Sequence, residues 1–502
     1  MGAAISGCGG GGDSTSGTSA EAPAKRGGTI KIASAAEPTT LLPKKLVAIQ
    51  EAQVLNQVLQ GLYALNPDTK EVEPLLAEKV EESADLTEWT FHLRPGVKFS
   101  SGKALTSADV AFTIEEAKTS ESYANLYEGI TKVSTPDELT VVMKTKVPTP
   151  ALPSILALNV AGIVPANYGG ASEQEFGNAP VGTGPFELVS WDRGQQLILE
   201  RNPNYWEKGL PLLDEVVYVN PASDISRVQQ IKAGEVDLIA EPPFAQLPGL
   251  ESTSNLRTYQ VETVLGMILV NSKKALFTDP RAREAVNLAI NREDITAGAW
   301  KGAGKASASF FPPTMLYAEE PELPVQDVAK AKTLLAEAVK ATGEQPNYTL
   351  FVEAGAETSV AATQVMQENL EEIGMKLTIQ QLDPASFYEP LAAGEYDLNF
   401  INASSAVYDP VEWTNSIAQT DSFWTAAENT DEVAALVEEA NVEVDPKKRE
   451  ELYGEIQQKV YEGNNLITTS SAPTVWIGTD QVSGFETGPT GIYDLREVGL
   501  SE

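Results

Sequence analysis

The chain has 502 residues, of which 42% are hydrophobic and 21% charged, too many for one ordinary core and enough for about three subdomains at roughly 100–200 residues each. Its 36 Lys and Arg against 71 Asp and Glu leave a net charge of −35, which argues against a nucleic-acid groove and against docking on anionic lipid headgroups. One cysteine, Cys8, and one histidine, His92, exclude an internal disulfide and argue against the usual Cys and His zinc site, and no apolar run approaches the ~18 residues of a membrane span.

At the amino terminus, Ile5-Ser6-Gly7-Cys8 precedes four glycines and a Ser, Thr, Ala and Gly-rich stretch to Lys25, which has little to bury and reads as a flexible tether. The four residues resemble a bacterial lipobox, which implies lipidation of Cys8; only Met1 to Ile5 stand where a basic and then apolar leader would. Met1 to Ser6 also fits a myristoylation pattern. The lipobox with its glycine tether fits better.

Gly28 to Ala33 alternates as a first strand and opens into the loop Ala35 to Pro43. Val54, Leu55, Val58 and Leu59 predict a helix over Glu51 to Gln60, with Gly61 as its stop. Trp89, Phe91 and Leu93 share one face of a strand whose other face carries His92, so His92 reads as a surface or packing residue. Ser107 is expected to cap a helix with Val110, Ala111, Ile114 and Ala117 inward. In Val181-Gly182-Thr183-Gly184-Pro185-Phe186, the glycines predict a bend that a Cβ would forbid, leading into a hairpin completed by Leu197-Ile198-Leu199.

Downstream, Ile225 to Lys232 reads as a helix ended by Gly234, followed by a strand from Val236 to Ile239. Asp279 and Pro280 start a longer helix that runs toward Trp300. Then comes a βαβαβ pattern: strand Tyr348 to Val352, helix Val360 to Ile373, strand Lys376 to Gln381, helix Ala385 to Ala393, strand Asp397 to Ile401. Helices around Asp431 to Asn441 and Pro446 to Tyr461 precede a return strand, Thr474 to Ile477. Crossovers of this length predict mixed sheets flanked by helices.

The order of alternating strand, Arg94-Pro95-Gly96, Phe99, Ser101-Gly102-Lys103 and Leu105-Thr106-Ser107-Ala108-Asp109-Val110 resembles family 5 extracellular solute-binding proteins, the oligopeptide, dipeptide and nickel binders of ABC importers. Val181 to Phe186, Arg201-Asn202-Pro203-Asn204-Tyr205-Trp206, Ala233 to Leu238, Asn271, Asp279-Pro280-Arg281 and Asn291-Arg292-Glu293 extend the resemblance over nearly everything from Gly27 on. It implies an α/β, two-lobed, periplasmic-binding-protein-like fold of type II with an extra subdomain. Residues 1–26 would be tether, 27–270 plus 473–502 lobe one with an inserted subdomain at about 62–180, and 271–472 lobe two. It also implies a lipid-anchored, extracytoplasmic, monomeric receptor that closes on a small solute and delivers it to an ABC permease with its ATPase subunits, without cofactor, metal, nucleic acid or catalysis.

Ligands in α/β sheets gather beyond the carboxyl ends of strands. The loops there offer Glu37, Phe244, the Leu265-Gly266-Met267 turn, and the small, polar and then aromatic stretch with Asn402, Ser404, Tyr408, Asp409 and Trp413; Trp424 follows a similar pattern. Peptide-binding members of the family hold the ligand's amino terminus with an Asp three residues before the acidic residue of an Asp-Pro or Glu-Pro pair, and Ala406 stands there. Dipeptide binders place an Arg after the strand matching Tyr348 to Val352, where this chain has Glu353-Ala354-Gly355-Ala356-Glu357. A zwitterion losing both partners would bind less well by several kcal/mol.

A competing reading is a secreted serine hydrolase or cell-wall enzyme, since Ser100-Ser101-Gly102-Lys103 satisfies Ser-x-x-Lys, although its usual Ser-Asp-Asn and Lys-Thr-Gly partners are missing. Gly302 to Ser307 lacks the first glycine and the Ser or Thr of a phosphate loop and reads as an ordinary loop. A sensory or adhesion receptor without import is the remaining alternative.

Overall fold

The computed structural model describes residues 25–66, 69–220, 223–383, 386–387, 390–391, 393–417 and 431–501. Cys8 and Trp424 lie outside the described residues, as does part of the helix expected over Ala385 to Ala393.

The chain opens with β1 (Thr29–Ala33), whose Ile30 and Ile32 are fully buried. A small ribbon, β2 (Tyr63–Leu65) with β3 (Val72–Pro74), leads to β4 (Ala77–Glu82), β5 (Glu88–Leu93), β6 (Ile130–Asp137) and β7 (Thr140–Thr145), an antiparallel sheet in the order β4-β5-β7-β6. Alternation in β5 works as expected: Trp89, Phe91 and Leu93 are buried, and His92 stands on the opposite face, 3.5 Å from Glu81.

Apart from a two-stranded pair, Val482–Ser483 with Gly499–Leu500, the other strands join β1 in one mixed sheet. Its strands are β8 (Phe186–Asp192), β9 (Gln196–Arg201), β10 (Glu215–Val219), β11 (Leu238–Ala240), β12 (Leu256–Val270), β13 (Lys305–Ala306), β14 (Asn347–Glu353), β15 (Lys376–Leu382), β16 (Leu398–Ala403) and β17 (Leu466–Thr479). The order is β15-β14-β16-β12-β17-β11-β1-β10-β9-β8, with β13 on β17. Parallel pairs (β1 with β10 and β11, β14 with β15 and β16) sit on either side of the two long antiparallel strands β12 and β17. These two pair from Leu256 opposite Thr479 to Leu269 opposite Leu466, with register shifts between Glu262 and Val264 and between Gly266 and Met267. Such irregularities bend and twist a strand pair. β11 joins β17 at Trp476 to Gly478, and β16 joins β12 at Leu265 to Val270, so the long pair is the covalent and hydrogen-bonded link between two halves of the molecule.

Each half has its own apolar interior. One is built around Ile30, Leu55, Phe91, Phe186 and Trp476, and the other around Val286, Leu350, Met366 and Phe400. The separation is incomplete: Ala406 packs against the first interior and Phe244 against the second. Val407 and Val411, from the segment after β16, are buried within the first interior, so the halves touch through that segment.

Several local expectations change. The helix expected to end at Gly61 spans Ile49–Val58 and stops at an extended Leu59. Gly61 is needed for a different reason, because a Cβ there would lie 2.6 Å from the Leu156 carbonyl oxygen and 2.8 Å from that of Tyr63. Thr106, rather than Ser107, precedes the helix Ser107–Ala117, and Asp109 accepts from its backbone N–H at 2.9 Å and its hydroxyl at 2.8 Å. The long helix expected from Asp279 to Trp300 is two, Pro280–Ala289 and Arg292–Trp300, because Asn291 turns extended and accepts from the Asp294 N–H as a new N-cap. Leu265-Gly266-Met267 is no turn: it lies inside β12, at its second register shift. The final return is far longer than expected, and every residue of β17 is buried.

The glycine-rich crossing also has a different physical basis. Neither Gly182 nor Gly184 has a positive φ. Instead the segment lies against the end of the helix Ile49–Val58: Gly184 N–H donates to the Val58 carbonyl at 2.9 Å, and a Cβ on Gly182 would overlap that oxygen. Glycine here permits close backbone approach.

Candidate functional site

Two neighbouring cavities lie where the halves meet. The inner one, about 280 Å³, is bounded by the end of the helix Ile49–Val58, the β2–β3 ribbon, residues 154–162, the carboxyl-terminal segment 488–496, and Ala406 and Tyr408. The outer one, about 830 Å³, lies between residues 69–89 and 150–154 on one side and Leu316, Tyr317, Tyr408, Asp409 and residues 443–449 on the other. Val72, Ser154 and Tyr408 line both. Among the described residues, no group of three or more His, Cys, Asp or Glu could hold a metal ion, and no helix is long and apolar enough to cross a membrane.

The polar wall of the inner cavity comes from residues just past the ends of regular elements. Gln60, beyond the extended Leu59, accepts from Trp206 Nε1 at 2.9 Å and from Thr183 Oγ1 at 3.3 Å, and donates to the Tyr205 hydroxyl at 3.2 Å. Arg94 follows β5 directly; its Nε and Nη2 donate to the Leu75 carbonyl, each at 3.3 Å, and its guanidinium lies 4.5 Å from the Trp206 ring centroid. That distance is within the range of a cation–π contact.

Arg496 stands differently. It meets Glu207 at 3.3 Å and Asp494 at 3.1 Å. Burial pushes the Asp494 carboxyl above its usual value, with Arg496 working in the opposite direction and Glu207 and Glu497 adding to the rise. For the Arg496 guanidinium, burial alone would lower the pKa, and the two carboxylates raise it above the ordinary value. Tyr63, on the ribbon, is pushed up to about 12 by burial and by Glu82.

The sequence-predicted residues fall in several places. Tyr408 lines both cavities; burial, then Glu71 and Tyr317, raise its hydroxyl pKa. Asp409 borders the outer cavity, but both of its oxygens are held by Arg449, at 2.6 and 2.8 Å, and it is 2% exposed. Trp413 is buried against Phe310. Asn402, within β16, and Ser404, just beyond it, are exposed, with Asn402 Nδ2 donating to Thr358 Oγ1 at 2.9 Å and Ser359 Oγ at 3.1 Å.

Glu37 is occupied by the β8–β9 hairpin: it accepts from Trp191 Nε1 and from the Gly194 N–H, both at 2.9 Å. Phe244 stands edge-on to Trp300, 5.3 Å between centroids, so it joins a residue of one half to a residue of the other. Gly266 packs under Ser470 and Phe400, and Met267 is fully buried. Of the predicted residues that are described, only Tyr408 lines the inner cavity.

Sequence reasoning missed Arg94, Gln60, Glu207 and Arg496. Arg94 reads locally as the start of an Arg-Pro-Gly turn, and Gly96 does adopt φ +80. The neighbouring Asn202 to Trp206 segment carried the only signal, two adjacent aromatics after a strand. Arg496 comes from the opposite end of the chain and has no local signature.

The Ser-x-x-Lys pair is engaged elsewhere. Lys103 Nζ lies 2.6 Å from Asp109 Oδ1, while the Ser100 backbone is held by Gly182 and Asn204.

A model of the family described as bacterial extracellular solute-binding proteins, family 5 middle, matches residues 71–424. The glutathione-binding protein GsiB of Salmonella paratyphi A is 27% identical over 492 residues, spanning 95% of this chain and 96% of that one. The PBP AgaA of A. tumefaciens R10, solved with agropinic acid, aligns with a TM-score of 0.82 at 26% identity over 95% of this chain and 99% of its own. The Helicobacter pylori periplasmic binding protein DppA, solved with the peptide STSA, gives 0.83 at 22% identity over 95% and 99%. These relatives are solute-binding proteins rather than enzymes. With its mixed sheets flanked by helices and a family match across most of its length, the chain belongs to the family 5 bacterial extracellular solute-binding proteins, the binding components of ABC importers.

Proposed function

We propose that this chain is a lipid-anchored, extracytoplasmic receptor that takes a small solute between two lobes and delivers it to an ABC permease. The observation that carries the reading is the pair of neighbouring cavities whose walls come from both halves, with Tyr408 common to them. Lobe one comprises residues 27–270 and 473–502 with its insertion at about 62–180, and lobe two residues 271–472. The long strands β12 and β17 serve as the hinge. Their register shifts, and the hydroxyl contact of 2.7 Å between Thr263 and Thr474, lie where the two halves join. Closure by hinge bending then presents one shape to the permease. A lipid on Cys8, beyond a glycine tether, would keep the monomer at the outer face of the membrane.

The solute is a peptide-like or small polar molecule. Support comes from the relatives, one named for glutathione and others solved with agropinic acid and a tetrapeptide. The engagement of Lys103 with Asp109 favours binding over Ser-x-x-Lys catalysis. Native mass spectrometry and thermal shift against glutathione, short peptides and sugar–amino-acid conjugates test the reading. Saturable stabilisation by one class supports it; no stabilisation by any of them, or acylation of Ser100 by a β-lactam, overturns it.

A further inference from the structure

Arg94 is the cation in the inner cavity that no carboxylate neutralises. Arg496 is balanced by Glu207 and Asp494, whereas the only hydrogen bonds of the Arg94 guanidinium among the described residues go from Nε and Nη2 to the Leu75 carbonyl. A guanidinium carries five N–H donors in a fixed plane. Nη1 is therefore left with its donors available, and the Trp206 ring 4.5 Å away holds the plane in place. In a chain of net charge −35, an unneutralised guanidinium at a partly enclosed wall is the one strongly anion-seeking group the inner cavity offers.

Tyr408 supplies the second half of the argument. Its side chain borders both the 280 Å³ and the 830 Å³ space, and its backbone is pinned by the Leu316 N–H, which donates to its carbonyl at 3.0 Å. The ring therefore stands on a fixed point between an inner chamber near the lower limit for a small-molecule site and an outer one large enough for an extension. Ser154 and Val72, the other shared residues, are much smaller.

Resting on the solute-receptor reading above, we infer that the two chambers form a single channel for an extended solute. Arg94, stacked on Trp206, takes the solute's carboxylate end in the inner chamber, and Tyr408 sets how far the rest reaches into the outer one. This arrangement would replace the charge partners that peptide-binding relatives place elsewhere, at the positions filled here by Ala406 and Glu353 to Glu357.

The test is calorimetric titration with di-, tri- and tetraglycine and their carboxyl-terminal amides, on the wild-type chain and on Arg94→Gln, Arg94→Lys, Tyr408→Phe and Tyr408→Ala, each checked for a native melting transition. The free acids should bind the wild type at least about tenfold more tightly than the amides, the worth of a charge-assisted hydrogen bond. Arg94→Gln should abolish that preference and Arg94→Lys keep part of it. Tyr408→Ala should move the best length upward, with Tyr408→Phe unchanged. Acids and amides binding alike, an acid preference that survives in Arg94→Gln, or a length optimum indifferent to Tyr408→Ala would each overturn the inference while leaving a receptor that binds peptides. Absence of binding by every peptide overturns the inference. The receptor reading falls too only if the wider solute panel also fails.

Discussion

Arg449 grips Asp409 through two parallel contacts, Nη1 to Oδ2 at 2.6 Å and Nη2 to Oδ1 at 2.8 Å, with both side chains no more than 5% exposed. Tyr453 and Tyr317 frame the guanidinium, 5.0 and 5.9 Å from their ring centroids. A buried pair of this kind is costly to break from one side, because the survivor is left charged and unpaired. Asp409→Ala should therefore cost about 3–5 kcal/mol in urea unfolding, and Arg449→Met alone a similar amount. The double variant Asp409→Leu, Arg449→Met should recover much of that loss. Single variants that unfold like the wild type would show that Asp409 is not structural.

Gly182 offers a second test, of packing rather than charge. A methyl group there overlaps the Val58 carbonyl, and on Gly184 it would lie 2.6 Å from the Gln57 carbonyl oxygen. Since neither residue has a positive φ, a conformational argument predicts little harm from alanine, while the contact argument predicts at least about 1–3 kcal/mol of lost stability from overpacking. Thermal and urea unfolding of Gly182→Ala decides between them; an unchanged melting point would refute the contact explanation.

This glycine pair shows what a sequence reveals and what it hides. The strand after it, Phe186 to Asp192, and its partner from Gln196 were legible because alternation is a local property. So was the parallel βαβ unit from Asn347 to Leu382, whose helix stops at a glycine. The reason for the glycines was not legible, since it depends on a carbonyl more than a hundred positions away. The same holds for the cavity: Arg94 and Arg496 meet around Trp206 and Glu207 only through the fold, and nothing near Arg94 in the chain distinguishes a ligand-facing arginine from a turn. Asp409 and Glu37 show the opposite limit: their loops pointed to a site, while the engagement of their carboxylates by Arg449 and Trp191 is visible only in the fold.

Asp109 should make stability fall in acid. Burial alone would raise its pKa; Lys103, the Ala166 N–H and the Thr106 hydroxyl and N–H outweigh this and hold it below the usual carboxylate value. A folded-state pKa below the unfolded value of about 3.9 means that the contribution is fully present above that pH and is lost as pH falls through the folded value. Unfolding free energy measured from pH 6 down to pH 2 should drop less steeply in Asp109→Asn, which starts from a lower plateau. Parallel curves would remove Asp109 from the account.

Glu412 should act in the opposite sense. It is partly buried at the start of the helix Val411–Ile417, accepts from Ser405 Oγ at 2.6 Å, and has its pKa raised by burial, which outweighs the serine contacts. Its charge also reaches Tyr123 on the other half. With a folded pKa above the unfolded value of about 4.3, its favourable contribution is complete below that value and is lost as pH rises through the folded one. Relative to the wild type, Glu412→Gln should gain stability progressively above about pH 4.3. A constant difference between the two proteins from pH 4 to 8 would refute the assignment.

Ala406 carries the last prediction. It lines the inner cavity beside Tyr408, at the place where the resemblance to peptide-binding members of the family implies an aspartate for the ligand's amino terminus. Because Ala406 is only partly buried at the cavity wall, a carboxylate introduced there can reach solvent and a bound ammonium without the full penalty of an interior charge. With the carboxylate on Arg94 in the same chamber, only a short peptide keeps its ammonium there, so Ala406→Asp should tighten free diglycine by about tenfold, a charge-assisted contact, and leave its amino-terminally acetylated form unchanged or weaker. Less screening lengthens the reach of both the new attraction and the chain's excess negative charge, so at lower salt the gain for the free peptide should grow while the acetylated form, a net anion, should weaken further. Calorimetry at two ionic strengths separates these outcomes, and an Ala406→Asp protein that tightens both peptide forms equally would show that the amino terminus of the ligand lies elsewhere.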